Sequence, residues 1–142
     1  MANSVEFADA RIFLSMLPFV RELGIVVVSA KPGEVIVEMP YSDRFSTPVR
    51  QFPASIVGVI GDVAAASSCI SALPKRWAGA TLDYTVKMTG QAQGDLLRAR
   101  GRVLQNGRTI SVGASDIFAV AGDREALCGT VLATTRNFEI KS

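Results

Sequence analysis

PASIVGVIGDVAAASSCISAL, running from Pro53 to Leu73, is built from Ala, Val, Ile and Ser, with no aromatic residue and one charge, Asp62. Gly58 and Gly61 sit one turn apart within it. The next formal charges are Arg50 before it and Lys75 after it. A helix that is apolar all round lies in a protein core or in a bilayer. The stretch is long enough to raise the membrane reading. Its central Asp62, two glycines and several serines argue against that, and a lone span would leave the rest of the chain unexplained. Burying a carboxylate without donors is costly, so such a group finds partners or shifts its pKa. Asp62 is therefore either a satisfied structural acid or a working one.

Outward from this segment the chain reads as one domain over residues 1–142, long enough to bury a core. Residues 6 to 22 place Phe7, Ala10, Phe13, Leu17 and Val20 largely at helical spacing, with an interruption near Pro18. Residues 24–30 and 34–39 are β-branched runs around Lys31-Pro32-Gly33, a hairpin signal. Pro40 to Phe52 is a loop, and Pro74 stops the long helix. From Ala80 the pattern turns to strand: Thr81–Thr89, Asp95–Leu104, Thr109–Val120 and Glu125–Phe138. Turns at Gly90–Gly94, Asn106-Gly107 and Ala121-Gly122-Asp123 separate them, and Asn-Gly is the strongest two-residue hairpin signal in the chain. The expectation is an α+β domain, with an antiparallel sheet of hairpin-joined strands curled around the central helix and a helix at the N-terminus. One sheet face and one helix stay uncovered in a monomer, which points to a dimer.

The chain has no histidine. That excludes Ser-His-Asp and Cys-His relays and any imidazole metal ligand. Two distant cysteines, Cys69 and Cys128, make a zinc site improbable and read as small core residues. No metal or cofactor is called for. A net charge of +2, with no aromatic residues among the basic ones, gives no nucleic-acid surface. No leader pattern opens the chain, so a cytoplasmic protein is expected, without a membrane partner. Lys75-Arg76, Arg98, Arg100, Arg102 and Arg108 offer either contacts to a small anion or a solvated strand face.

Several blocks carry a resemblance. Pro18-Phe-Val-Arg-Glu-Leu-Gly24, Gly33-Glu-Val-Ile-Val-Glu-Met-Pro40, Gly94-Asp-Leu-Leu-Arg-Ala99 and Asn106-Gly-Arg108 resemble, in order and spacing, the hotdog-fold acyl-CoA thioesterases of the phenylacetate-degradation branch. The resemblance covers nearly the whole chain. It implies the hotdog fold, an acyl-CoA substrate, a homodimer or homotetramer, and hydrolysis to free acid and CoA.

The family opens its central helix with His-Gly-Gly or His-Ala-Gly and places an acid about two turns on. Aligned on Asp62, those three positions hold Pro53, Ala54 and Ser55. Asp62 then matches the catalytic acid, and Ala54 the residue whose N–H polarises the thioester carbonyl. Thr81 lies one residue from the position where relatives steady the attacking water. Thr47 falls where relatives often carry Asn or Gln, with Gln51 as a nearby substitute. Arg108 resembles a basic residue placed near the nucleotide, and Lys75 and Arg76 are further phosphate candidates.

Helix N-termini supply unpaired N–H groups and a positive dipole end for a developing oxyanion. Pro53 lacks that N–H but suits the first helical position, while Ala54 and Ser55 keep theirs. Ser55 is seven residues before Asp62, on the same helix face. Asp62 can act as base on water or attack the carbonyl itself. With the family histidine replaced by Pro53, a non-catalytic protein binding an acyl-CoA or acyl ligand is the alternative. A hydratase on this fold is disfavoured, because those enzymes pair the acid with histidine. Ser67, Ser68 and Ser71 read as packing residues, and Thr81 is also a common strand former.

Overall fold

The computed structural model describes residues 6–141; positions 1–5, which bear on the absence of a leader, and position 142 lie outside the described residues. Two short helices, α1 (Ala10–Ser15) and α2 (Pro18–Glu22), open the fold. Pro18 splits them. It occupies the first turn of α2, where a missing N–H costs nothing, and holds Leu17 extended (φ −98°, ψ 111°). Asp9 caps α1 by accepting from the Arg11 N–H at 2.8 Å.

A hairpin follows, β1 (Val26–Lys31) and β2 (Glu34–Pro40), turned at Gly33, whose φ of 86° favours glycine. Along β2, Val35, Val37 and Met39 alternate into the core and are fully buried. The long helix α3 (Ala54–Ser71) comes next, then β3 (Trp77–Met88), β4 (Leu96–Asn106), β5 (Ile110–Ala121) and β6 (Arg124–Glu139). All six strands form one antiparallel sheet in the order β1-β2-β4-β5-β6-β3.

Two local expectations are corrected. The strands after α3 are not all joined by hairpins: β3 pairs with β6, and β4 lies between β2 and β5. The Gly90–Gly94 segment is thus a crossover connection. Its path is fixed by main-chain bonds from Phe52 N–H to Ala92 O (2.8 Å) and from Gly90 N–H to Cys128 O (3.3 Å). The β4–β5 turn is also longer than a two-residue Asn-Gly hairpin. Asn106 pairs with Ser111, and the Gly107 N–H donates to Ile110 O at 3.0 Å. The Asn106 side chain is occupied elsewhere, donating to Ala72 O at 3.1 Å and accepting from the Ser111 hydroxyl at 3.0 Å.

Helix α3 packs against one face of the sheet. It is long and apolar enough to cross a bilayer, with mean hydropathy 1.6 over 18 residues, but 72% of it is buried inside the domain. It is a core helix. Its small residues let the sheet approach closely. A Cβ on Gly101 of β4 would collide with the Ala64 carbonyl, and one on Gly113 of β5 would stand 2.7 Å from the Ala65 carbonyl oxygen. Serines tie the layers together: the Ser68 hydroxyl accepts from the Val35 N–H and the Ser71 hydroxyl from the Gly33 N–H, both at 3.0 Å. Ser68 also donates to Ala64 O at 2.7 Å. No buried side-chain polar atom among the described residues lacks a partner.

Candidate active site

Strand β3 runs back along α3, so its residues meet helix residues in reverse order. Gly79 faces Ile70, Thr81 meets Asp62, and Tyr84 and Val86 face Gly58. The inward set changes from odd to even numbers within this strand. The cause is a β-bulge: Thr81 pairs with Thr135 and Asp83 with Thr134, leaving Leu82 as the extra residue. Bulges re-aim side chains. Here the bulge follows the residue that turns toward the helix acid.

The Thr81 hydroxyl donates to Asp62 Oδ1 at 2.9 Å, the only side-chain hydrogen bond to this carboxylate among the described residues. Asp62 is half-buried, and burial raises its pKa above the ordinary carboxylate value while the Thr81 bond opposes the rise. At the preceding residue, the Ser115 hydroxyl donates to Gly61 O at 2.7 Å and fixes the helix beside the acid. Asp62 and Thr81 share an otherwise apolar cavity of about 180 Å³ with Phe13, Leu17, Ala66 and Ile70. A carboxylate with one oxygen bonded and one open, in an apolar recess, is suited to taking a proton from water.

Pro53 is not the first helical residue. It stands one position outside as the N-cap, with extended backbone (φ −68°, ψ 158°), and its carbonyl accepts from the Ile56 and Val57 N–H groups at 2.9 and 3.1 Å. Ala54 and Ser55 are thus the first two helical residues, exposed, and no acceptor among the described residues takes their N–H groups. This is an anion-seeking helix end. Eight residues at about 1.5 Å each put it roughly 12 Å from Asp62 along α3. One chain therefore keeps the acid and the amides apart.

Thr47 and Gln51 close the loop leading into that helix end. The Thr47 N–H donates to Gln51 O at 2.8 Å, and the Gln51 N–H to Thr47 Oγ1 at 3.3 Å. Between them Arg50 has a φ of 59° and rests its guanidinium 4.3 Å from the Tyr41 ring centre. The three basic candidates lie at the other end of α3. Lys75 pairs with Glu6 at 3.1 Å, Arg76 holds a φ of 71°, and Arg108 follows the Asn106 that bonds the Ala72 carbonyl. Lys75 and Arg76 border a second cavity of about 580 Å³, walled by Phe7, Ile12, Phe13, Met16, Ile70 and Trp77.

Ser67, Ser68 and Ser71 are buried and engaged with main-chain carbonyls or N–H groups. Cys69 and Cys128 are buried thiols whose pKa values are pushed up to about 11, burial being the main cause. They stay protonated at neutral pH and are poor nucleophiles. Asp62 is the one acid set in the recess. Sequence reasoning missed the recess wall from α1 and α2 (Phe13, Leu17, Phe19) and the anchoring Ser115. Their type and spacing mark only helix and strand faces.

No protein-family model matches the sequence, and no curated protein matches it. Solved structures do. A thioesterase family protein of Silicibacter pomeroyi superposes with a TM-score of 0.88 at 25% identity, over 92% of this chain and 96% of that one. A thioesterase of Haemophilus influenzae superposes with a TM-score of 0.82 at 17% identity, covering 100% and 95%. The fold is the hotdog fold of the thioesterase superfamily. A phenylacetic acid degradation-related protein of Ralstonia eutropha also shares it, with a TM-score of 0.75 at 22% identity over 89% and 98%. In this hotdog domain the core helix carries the acid, and strand β3, at one free edge of the sheet, carries the threonine bonded to it.

Proposed function

We propose that this protein is a hydrolase of acyl-CoA thioesters, with Asp62 as the catalytic acid. The observation that carries the reading is the Thr81 hydroxyl on Asp62 Oδ1 inside an apolar recess. As a base, the Asp62 carboxylate takes a proton from water while the water oxygen bonds to the thioester carbon. The carbonyl becomes an oxyanion, held by the Ala54 and Ser55 N–H groups. Collapse breaks the carbon–sulfur bond, and the CoA thiolate leaves and takes up a proton. As a nucleophile, the carboxylate itself attacks and water then hydrolyses the mixed anhydride. Both routes need the same groups.

The roughly 12 Å between those groups in one chain favours a site shared by two copies, with Asp62 from one and the helix end from the other. The exposed edge of β3, with Leu82, Tyr84 and Met88 more than 40% exposed, supports a homodimer or a homotetramer built from it. Thr47 and Gln51, beside the helix end, line the entry for the thioester arm. Arg108 takes the CoA phosphates.

Release of free thiol from a panel of acyl-CoA esters tests the reading. Turnover by the native protein, lost in Asp62→Asn, sustains it. No turnover, with ligand-induced thermal stabilisation that Asp62→Asn leaves unchanged, would instead establish the non-catalytic acyl-CoA-binding reading that Pro53, in place of the family histidine, favours.

A further inference from the structure

We propose that the recess at Asp62 and the larger cavity under α1 form one corridor for an aliphatic acyl chain of about ten carbons, with Phe13 as the gate between them. The proposal rests on the thioesterase reading and names its substrate class. Phe13 and Ile70 line both cavities, so the two spaces meet at this pair. One end opens on Asp62 and Thr81, the other on Trp77 and Arg76. Cavities of about 180 and 580 Å³ are, taken together, on the scale of a small-molecule site, whereas the recess alone is below it.

The wall chemistry selects the occupant. Phe13, Leu17, Ala66 and Ile70 flank the recess, and Ile12, Met16 and Trp77 continue the apolar wall beyond it. Most polar residues at the outer rim already have partners: Lys75 is paired with Glu6 and Asp9 caps α1, which leaves the Arg76 guanidinium as the one charged group there with no side-chain partner among the described residues. An apolar tail is stabilised along this path, whereas a phosphate or a pantetheine amide finds few unpaired groups. The Lys75–Arg76 end thus belongs to the acyl tail, and the CoA phosphates fall to Arg108.

Length follows from geometry. Asp62 and Ile70 are eight residues apart on α3, about 12 Å. Three backbone bonds span about 3.8 Å, so an extended chain advances roughly 1.3 Å per bond and needs about nine or ten carbons to pass the gate. Shorter acyl groups stop in the recess; longer ones reach Trp77. The gate is movable, because α1 is six residues long and Phe13 is only partly buried.

Trp77 is the chain's one tryptophan, so its fluorescence reports filling of the outer cavity independently of turnover. The experiment titrates the native protein, Ala66→Phe and Phe13→Ala with hexanoate and decanoate, and measures kcat/KM on butyryl-, hexanoyl-, octanoyl- and decanoyl-CoA. Decanoate should shift Trp77 emission to shorter wavelength in the native protein, and hexanoate should not. Native kcat/KM should rise about fourfold per added methylene, the equivalent of ~0.8 kcal/mol. The decanoyl-to-butyryl ratio should fall at least tenfold in Ala66→Phe and shift toward longer chains in Phe13→Ala.

Emission that ignores decanoate, or a ratio unchanged in both variants, overturns the corridor. So does a solution mass that falls on Ile12→Ser together with an unresponsive Trp77, which would assign the cavity to contact between copies. If no thioester is hydrolysed, the thioesterase reading fails. The decanoate response and its loss in Ala66→Phe still decide whether the corridor exists.

Discussion

Asp62 shows why a carboxylate on a core helix is costly to the fold that holds it. Its carboxylate sits on a core helix with one hydroxyl donor, and burial raises its pKa. A raised pKa means that the fold prefers the neutral acid. The corresponding stability is present in full below the unfolded pKa of about 4 and is lost as pH rises through the higher folded value. Asp62→Asn keeps an acceptor for Thr81 and removes the buried charge. It should therefore melt at a higher temperature than the native protein at pH 7, with the gap closing toward about pH 4. Thermal melts across that range check this, and a variant less stable at pH 7 would contradict it. The same substitution should lower kcat by at least about a hundredfold, the scale of losing a general base. The native pH–rate profile should carry its acid limb above the ordinary carboxylate range, a limb no histidine can supply. The residue was legible in the sequence because a lone charge in an apolar helix needs a reason. Its hydroxyl partner is fixed by the bulge at Leu82, which alternation alone does not locate.

At the scale of elements, the small-residue stretch set the helix inside the sheet, and close approach at Gly101 and Gly113 is what its Ala and Ser content permits. The strands and both short helices could be read from period and proline position. Strand order could not, because β3 pairs with β6 across about fifty residues of chain, and local turn signals at Gly90–Gly94 carry no information about that partner. The Asn106-Gly107 signal misled for a related reason: the Asn106 side chain is drawn to the end of α3. The serines of α3 prove to be connectors. Ser68 takes the N–H of fully buried Val35, so Ser68→Ala leaves a buried donor unpaired and should cost about 1–3 kcal/mol. A lower denaturant midpoint at unchanged slope would show it. A midpoint equal to the native one would mean that water replaces the hydroxyl.

For the whole molecule, acid and amides lie at different heights on one helix, and the basic candidates lie beyond its far end. If Arg108 holds the CoA phosphates, Arg108→Ala should raise the KM of full CoA thioesters several-fold and leave a pantetheine thioester nearly unaffected. Equal effects on both would move the phosphate site elsewhere.

A site divided between two copies, as proposed, makes a sharper demand. Ala54→Pro removes the N–H proposed to hold the oxyanion, at the first helical position, where proline is well tolerated, and Pro53 already has the extended backbone that a following proline requires. Ala54→Pro alone and Asp62→Asn alone should both be nearly inactive. Unfolded and refolded together, half the dimers should hold one chain of each kind. In a site built across a two-fold axis, each such dimer pairs an intact Asp62 with an intact Ala54 once and two defects once. Activity should return to about a quarter of the native value by this symmetry argument. The return should track the fraction of mixed dimers as the ratio of the two chains is varied. If acid and amides served the same site from one chain, mixing would restore nothing, because every chain would still carry its own defect. An activity that stays at the level of the separate variants would thus return both roles to a single chain, across a distance no thioester carbonyl can bridge, and Ala54 would lose its part in the reaction.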